Sequence, residues 1–190
     1  MNQAHPSPVV ILHGSPSHPL QMRSLAKHLT SRGHDVVVPR LPRFGTHELA
    51  REDAVVAEAV EAMGDGVIVV GHSAGGLLAL RAAQNAEVGP HIRAVVGLGA
   101  AFLGAPGPRF LRRLAYRLAP ATRGYSATRP WPVADVPETV TVVSVVSDAD
   151  SVVPPEFSQV GEVVEVSGVP HGRLPAQHEL IADLIARLER

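Results

Sequence analysis

The sequence contains no cysteine. That excludes a disulfide scaffold, a cysteine-ligated zinc site and a cysteine nucleophile. It carries no excess of either charge: the formal net charge is -1, which gives no electrostatic basis for a nucleic-acid partner. No apolar run approaches membrane-spanning length, so stable membrane insertion is not expected. Met1 to Pro8 lack the charged start and apolar stretch of a signal peptide. A cytoplasmic protein is the simplest reading, although a mature secreted chain behind an added Met would look the same. Internal repeats and low-complexity tracts are also missing. The 190 residues suit one domain with a single core, taken as residues 1–190.

What is present is an alternation of strand and helix signals. Pro8 to Leu12 is a short apolar run rich in β-branched residues, followed by the turn-forming His13-Gly14-Ser15-Pro16. Its continuous apolarity suits a strand buried on both faces. Leu20, Leu25 and Leu29 recur at roughly helical spacing, and Gly33 marks a stop. Asp35 to Val38 reads as a second strand, Thr46 to Met63 as a helix with Thr46 at its N-cap, and Val67 to Val70 as a third strand. A helix from Leu77 to Ala86 follows, then strands at Ile92 to Leu98, Thr139 to Val146 and Val163 to Val166. The last segment places Leu180, Ile181, Leu184, Ile185 and Leu188 on one helical face. Strands separated by helices imply parallel pairing through right-handed crossovers. The expected fold is a three-layer α/β/α sandwich around a mainly parallel six-strand sheet. Ligands in such sheets bind beyond the carboxyl ends of the strands.

The third strand runs into Gly71-His72-Ser73-Ala74-Gly75-Gly76 and then an Ala/Leu-rich helix. A serine projected from a tight strand-to-helix turn needs a strained backbone, with small residues two before and two after it. The following helix points its first amides toward the serine and favours developing negative charge there. A bare G-x-S-x-G is common; placed between an apolar strand and a helix it marks Ser73 as a nucleophile. The bland alternative is a loop with a capping serine.

Where such an elbow carries a nucleophile, an acid and a histidine follow it, each after a later strand. The fifth strand ends in Ser147-Asp148-Ala149-Asp150-Ser151-Val152-Val153-Pro154. Asp150 is preferred as the acid because it precedes a Val-Val-Pro segment that can restart the chain beneath the site. Asp148 is the second choice, with a turn-forming role as its alternative. His171, in Val169-Pro170-His171-Gly172, lies after the last strand and before the last helix, which makes it the candidate base. His178 falls inside that helix and reads as a surface residue. His72 is expected to pack beneath the elbow, and His13 to shape its own loop. The oxyanion donors should be the amides of Ala74 and Ser15, with Gly14 second to Ser15 because Pro16 has no N–H.

Together, the His-Gly loop, the Gly-His-Ser-Ala-Gly-Gly elbow, Asp150 and His171 resemble the α/β-hydrolase superfamily. More narrowly, the layout resembles small bacterial lipases and esterases with a minimal six-strand core. Pro8 to Gly14, Ser147 to Val153 and Val169 to Gly172 carry that match. Leu98 to Gly104 is also similar, with Ala100-Ala101 where the common form has Thr-Pro. The resemblance implies a parallel sheet, no cofactor, and cleavage of a small-molecule carboxylic ester through an acyl-enzyme. Two alternatives stay open: thioester hydrolysis or acyl transfer on a carrier-bound group, and a non-catalytic binding protein on the same scaffold.

The connection 104–137 is long, and within it Phe110, Leu111, Leu114 and Leu118 alternate with Arg109, Arg112, Arg113 and Arg117. This amphipathic, basic stretch reads first as another helix packed on the sheet and second as a lid. Trp131 lies in the loop beyond it.

Overall fold

The computed structural model describes residues 6–14, 18–41, 49–103, 136 and 138–190. Ser15, Thr46, Trp131 and the connection 104–137 except Val136 therefore lie outside the described residues. Among the described residues six strands are formed: β1 (Val9–Leu12), β2 (Val36–Val37), β3 (Val67–His72), β4 (Ile92–Leu98), β5 (Thr141–Ser147) and β6 (Glu162–Val166). Among the described residues four α-helices accompany them: α1 (Arg23–Ser31), α2 (Leu49–Met63), α3 (Ala74–Gln84) and α4 (His178–Leu188). The sheet order is β2-β1-β3-β4-β5-β6, and every pairing is parallel. The sheet is thus wholly rather than mainly parallel.

Alternation along each strand explains the unbroken apolar runs. In β1, Val10 and Leu12 enter the core beneath α2 and α3, whereas Val9 and Ile11 enter the core beneath α1 and α4. Val67 and Val69 of β3 face the first core, and Ile68 and Val70 face the second. Helices cover both faces, so neither set can be polar. Each fully buried Val, Leu or Ile side chain contributes roughly 1.5–3 kcal/mol relative to exposure. On α4, Ile181, Leu184 and Ile185 are buried, with Leu180 and Leu188 packed at the margin, as the periodicity requires.

Three local expectations are corrected. Leu20 is not on the buried face of the first helix: it sits in a 3-10 turn (Pro19–Met22) and is 65% exposed. The buried face is instead Met22, Leu25 and Leu29, whose intervals of three and four match a helix better than the five from Leu20 to Leu25. Helix α3 begins at Ala74 rather than Leu77. Gly75 and Gly76 are poor helix formers, and close packing overrides that propensity. Finally, His178 is half-buried, and its ring stacks on His28 of α1 at 5.4 Å.

In a parallel sheet all carboxyl ends share one edge. His13-Gly14, Ser73, Gly99, the loop holding Asp148 and Asp150, and the segment from Ser167 to His171 all follow strand ends there. β2 lies to one side of β1, and β3 and its successors to the other. Gly14 and Ser73 thus flank the topological switch point, the crevice where such sheets bind ligands.

Candidate active site

Ser73 is the single residue between β3 and α3, with φ 54° and ψ -121°. Among the described residues it is the one non-glycine at positive φ. Such a backbone costs of order 1–3 kcal/mol and persists only where its surroundings hold it. Here the Ser73 amide donates to the Leu98 carbonyl at 3.1 Å, and its carbonyl accepts from Gly76 at 3.0 Å and Ala101 at 3.3 Å. The side chain makes no capping bond to the helix, unlike an ordinary N-cap serine.

The flanking glycines are required by contact. A Cβ on Gly71 would lie 2.5 Å from the backbone of Gly75 and Gly76, and one on Gly75 would lie 2.5 Å from the Leu12 carbonyl. The start of α3 therefore rests directly on the ends of β3 and β1. Ala74 supplies the first amide of that helix, which has no intrahelical acceptor. Gly14 lies against the same turn, since a Cβ on it would be 3.0 Å from Ser73 Cβ.

Asp150 and His171 meet at this edge. Asp150 is buried, and its Oδ2 lies 2.7 Å from His171 Nδ1. Its Oδ1 accepts the amides of Val152 at 2.9 Å and Val153 at 2.8 Å, so the Val-Val segment orients the carboxylate. His171 opens a 3-10 turn (His171–Ala176) and keeps its side chain 12% exposed. Gly99, at φ +52°, leaves room for the pair: a Cβ there would lie 2.6 Å from Asp150 Oδ2 and 3.1 Å from His171 Nδ1.

Asp148 has a different role. It is exposed, and its two oxygens accept the Gly168 amide at 2.7 Å and the Ser167 hydroxyl at 2.8 Å. The Gly168 amide, and then the Ser167 hydroxyl, hold its pKa below the ordinary 3.8. It ties the loop after β5 to the loop after β6.

His72 does more than pack beneath the elbow. Its ring lies 4.6 Å from that of His171, and its Nε2 is 3.1 Å from the His171 carbonyl oxygen. Burial, followed by the neighbouring His171, holds its pKa down at about 4 from the ordinary 6.5. Nothing in the sequence pointed to that contact, because the two residues are 99 positions apart. His13 does shape its loop, through an Nδ1 contact with the Gly14 carbonyl at 2.9 Å.

Comparison with known proteins gives a consistent picture of the fold. Residues 9–125 match the sequence model of the Alpha/beta hydrolase family. No curated protein matches the sequence. Among solved structures, a monoacylglycerol lipase from Paleococcus ferrophilus superposes with a TM-score of 0.70 at 20% identity, covering 96% of each chain. A chain from work on the metagenome-derived lipolytic enzymes LipS and LipT gives 0.72 at 22% identity, over 95% of this chain and 92% of the other. The pyrethroid hydrolase PytH gives 0.72 at 18% identity, over 97% of each. At these identities the likeness concerns the fold. Among the described residues, no helix is long and apolar enough to cross a membrane.

Proposed function

Because the chain belongs to the alpha/beta hydrolase family, we propose that it cleaves carboxylic esters with Ser73 as nucleophile, His171 as general base and Asp150 as the acid that orients it. The observation that supports this most is the 2.7 Å contact between His171 Nδ1 and buried Asp150, at the sheet edge bearing the strained Ser73. With its Nδ1–H donating to the carboxylate, His171 carries its lone pair on Nε2, the nitrogen that can accept a serine proton.

In this reading Ser73 Oγ attacks the ester carbonyl carbon while His171 takes the hydroxyl proton. The amides of Ala74 and Ser15 stabilise the oxyanion, and the helix start behind Ala74 adds a favourable dipole. Collapse breaks the bond to the alcohol oxygen, which leaves with the proton from His171. Water, deprotonated by the same imidazole, then attacks the acyl-enzyme; the bond to Ser73 Oγ breaks, that oxygen takes the proton back from His171, and the carboxylic acid is released. The stabilised imidazolium is the contribution of Asp150, which itself stays ionised.

The test is a panel of p-nitrophenyl esters of increasing chain length, run beside acyl-thioesters and a fluorophosphonate label. Ester turnover and labelling are expected in the wild type, with Ser73→Ala losing both by at least about 10³-fold while remaining folded. Thioester turnover in place of ester turnover would move the reading to acyl groups on a carrier. A wild type that neither turns over nor labels would leave a binding protein. Substantial residual activity in Ser73→Ala would mean that another residue is the nucleophile.

A further inference from the structure

We infer that His72 is a positioning residue for His171, anchoring the backbone of that residue by donating its Nε2–H to the His171 carbonyl. The inference rests on the hydrolase reading above. It starts from a geometric incompleteness in the Asp150–His171 pair. One bond at Nδ1 restrains the imidazole at a single point, and a ring held there can still pivot with its backbone. The residue opens a short 3-10 turn after Gly168-Val169-Pro170. A second restraint at the carbonyl fixes the other end of the residue.

His72 supplies that restraint from an apt place. It is the last residue of β3 and is 6% exposed, so its position is set by the sheet. It is also the covalent neighbour of Ser73. A single side chain thus links the strand that projects the nucleophile to the loop that carries the base. Any shift of His171 relative to Ser73 must break or bend the 3.1 Å Nε2 contact.

The chemistry of the contact dictates the protonation state. A carbonyl oxygen only accepts, so Nε2 must carry the hydrogen and Nδ1 the lone pair. Nδ1 is buried, has no hydrogen-bond partner among the described residues, and would lie 3.3 Å from a Cβ on Gly14. The charged and titratable groups acting on the ring are His171, Asp150 and His13. A second proton on His72 would therefore create a buried cation beside the imidazolium that forms on His171 during turnover. The proton taken from Ser73 stays on His171, where the leaving group can collect it.

Two variants separate positioning from packing. Leucine fills the space without a donor, whereas glutamine can place an N–H near the Nε2 position. We expect His72→Leu to lose between about 10-fold and 100-fold in kcat with KM within about threefold, as a sub-ångström misplacement of a base would. His72→Gln should return kcat to within about threefold of wild type. An indifferent His72→Leu, or equal impairment in both variants, would overturn the inference. Should the leucine variant not fold, imidazole ¹⁵N spectra of the wild type decide: a neutral Nε2–H tautomer through pH 5 to 8 supports it, and an Nδ1–H tautomer overturns it. Failure of the wild type to turn over esters or take the fluorophosphonate would overturn the hydrolase reading along with this one. An active wild type with an unaffected leucine variant would overturn this one alone.

Discussion

Asp148 and Asp150 stand two residues apart in the loop after β5, yet they live in opposite environments. Asp150 is buried, pairs with His171 and receives two backbone amides from the chain just beyond it. Asp148 is in solvent and braces the neighbouring loop through Ser167 and Gly168. A carboxylate taken from water must be satisfied on both oxygens, and Asp150 is. The same carboxylate in water needs no such shell, so Asp148 is free to serve as a tie between loops. Identical chemistry, two residues apart, separates a buried carboxylate paired with an imidazole from an exposed one that ties two loops.

The contrast can be broken by mutation. Asp150→Asn should lower kcat by about 10³–10⁴-fold with little change in KM, because the amide favours the wrong imidazole tautomer. Steady-state kinetics on the best p-nitrophenyl ester measures it, and a loss below about tenfold would remove Asp150 from its role.

Acid titration sharpens the same contrast through stability. His72, beside the Asp150–His171 pair, has its folded pKa depressed to about 4 from 6.5. Between those values the unfolded chain binds a proton that the folded chain refuses, so stability falls as pH drops through 6.5. The urea-unfolding free energy of wild type relative to His72→Gln should decline by about 3 kcal/mol from pH 7.5 to pH 4. A flat difference would contradict the depressed value.

Asp148 gives a pH dependence of the same sign in a more acidic window, because its folded pKa is lowered too. Its pKa is lowered, so its contribution is full above 3.8 and is lost as pH falls through the folded value. Asp148→Asn should keep kcat within about twofold and lower Tm slightly at pH 7, the Tm difference shrinking below pH 3.8. A large loss of kcat from this substitution would exchange the roles of the two acids.

Much of the architecture was legible because its signals are local. β4 is found where the apolar run Ile92 to Leu98 indicated, and α4 buries the face that its spacing marked. The elbow was legible for the same reason, since a strained serine between strand and helix demands small neighbours within the same few residues. Local signals failed where packing overrode them. Glycines at 75 and 76 hid the start of α3, and Leu20, in the turn before α1, imitated a place on the buried face that Met22 of the same turn supplies. Among the site residues, Asp150 could be favoured over Asp148 by the segment after it, but its pairing with His171 is a contact across 21 positions.

Strand and helix order, the two buried faces of the strands and the exposed edge for Ser73 follow from residue pattern alone, because periodicity and turn chemistry act over short stretches. The meeting of Asp150 with His171, the anchoring of His171 by His72, and the diversion of Asp148 to Gly168 were decided by tertiary structure. Those contacts depend on the register of β3, β4, β5 and β6 and on what each side chain finds when its strand ends. Hydrogen bonds between side chains distant in sequence have no periodicity to betray them, and burial alone determines which carboxylate must take a partner.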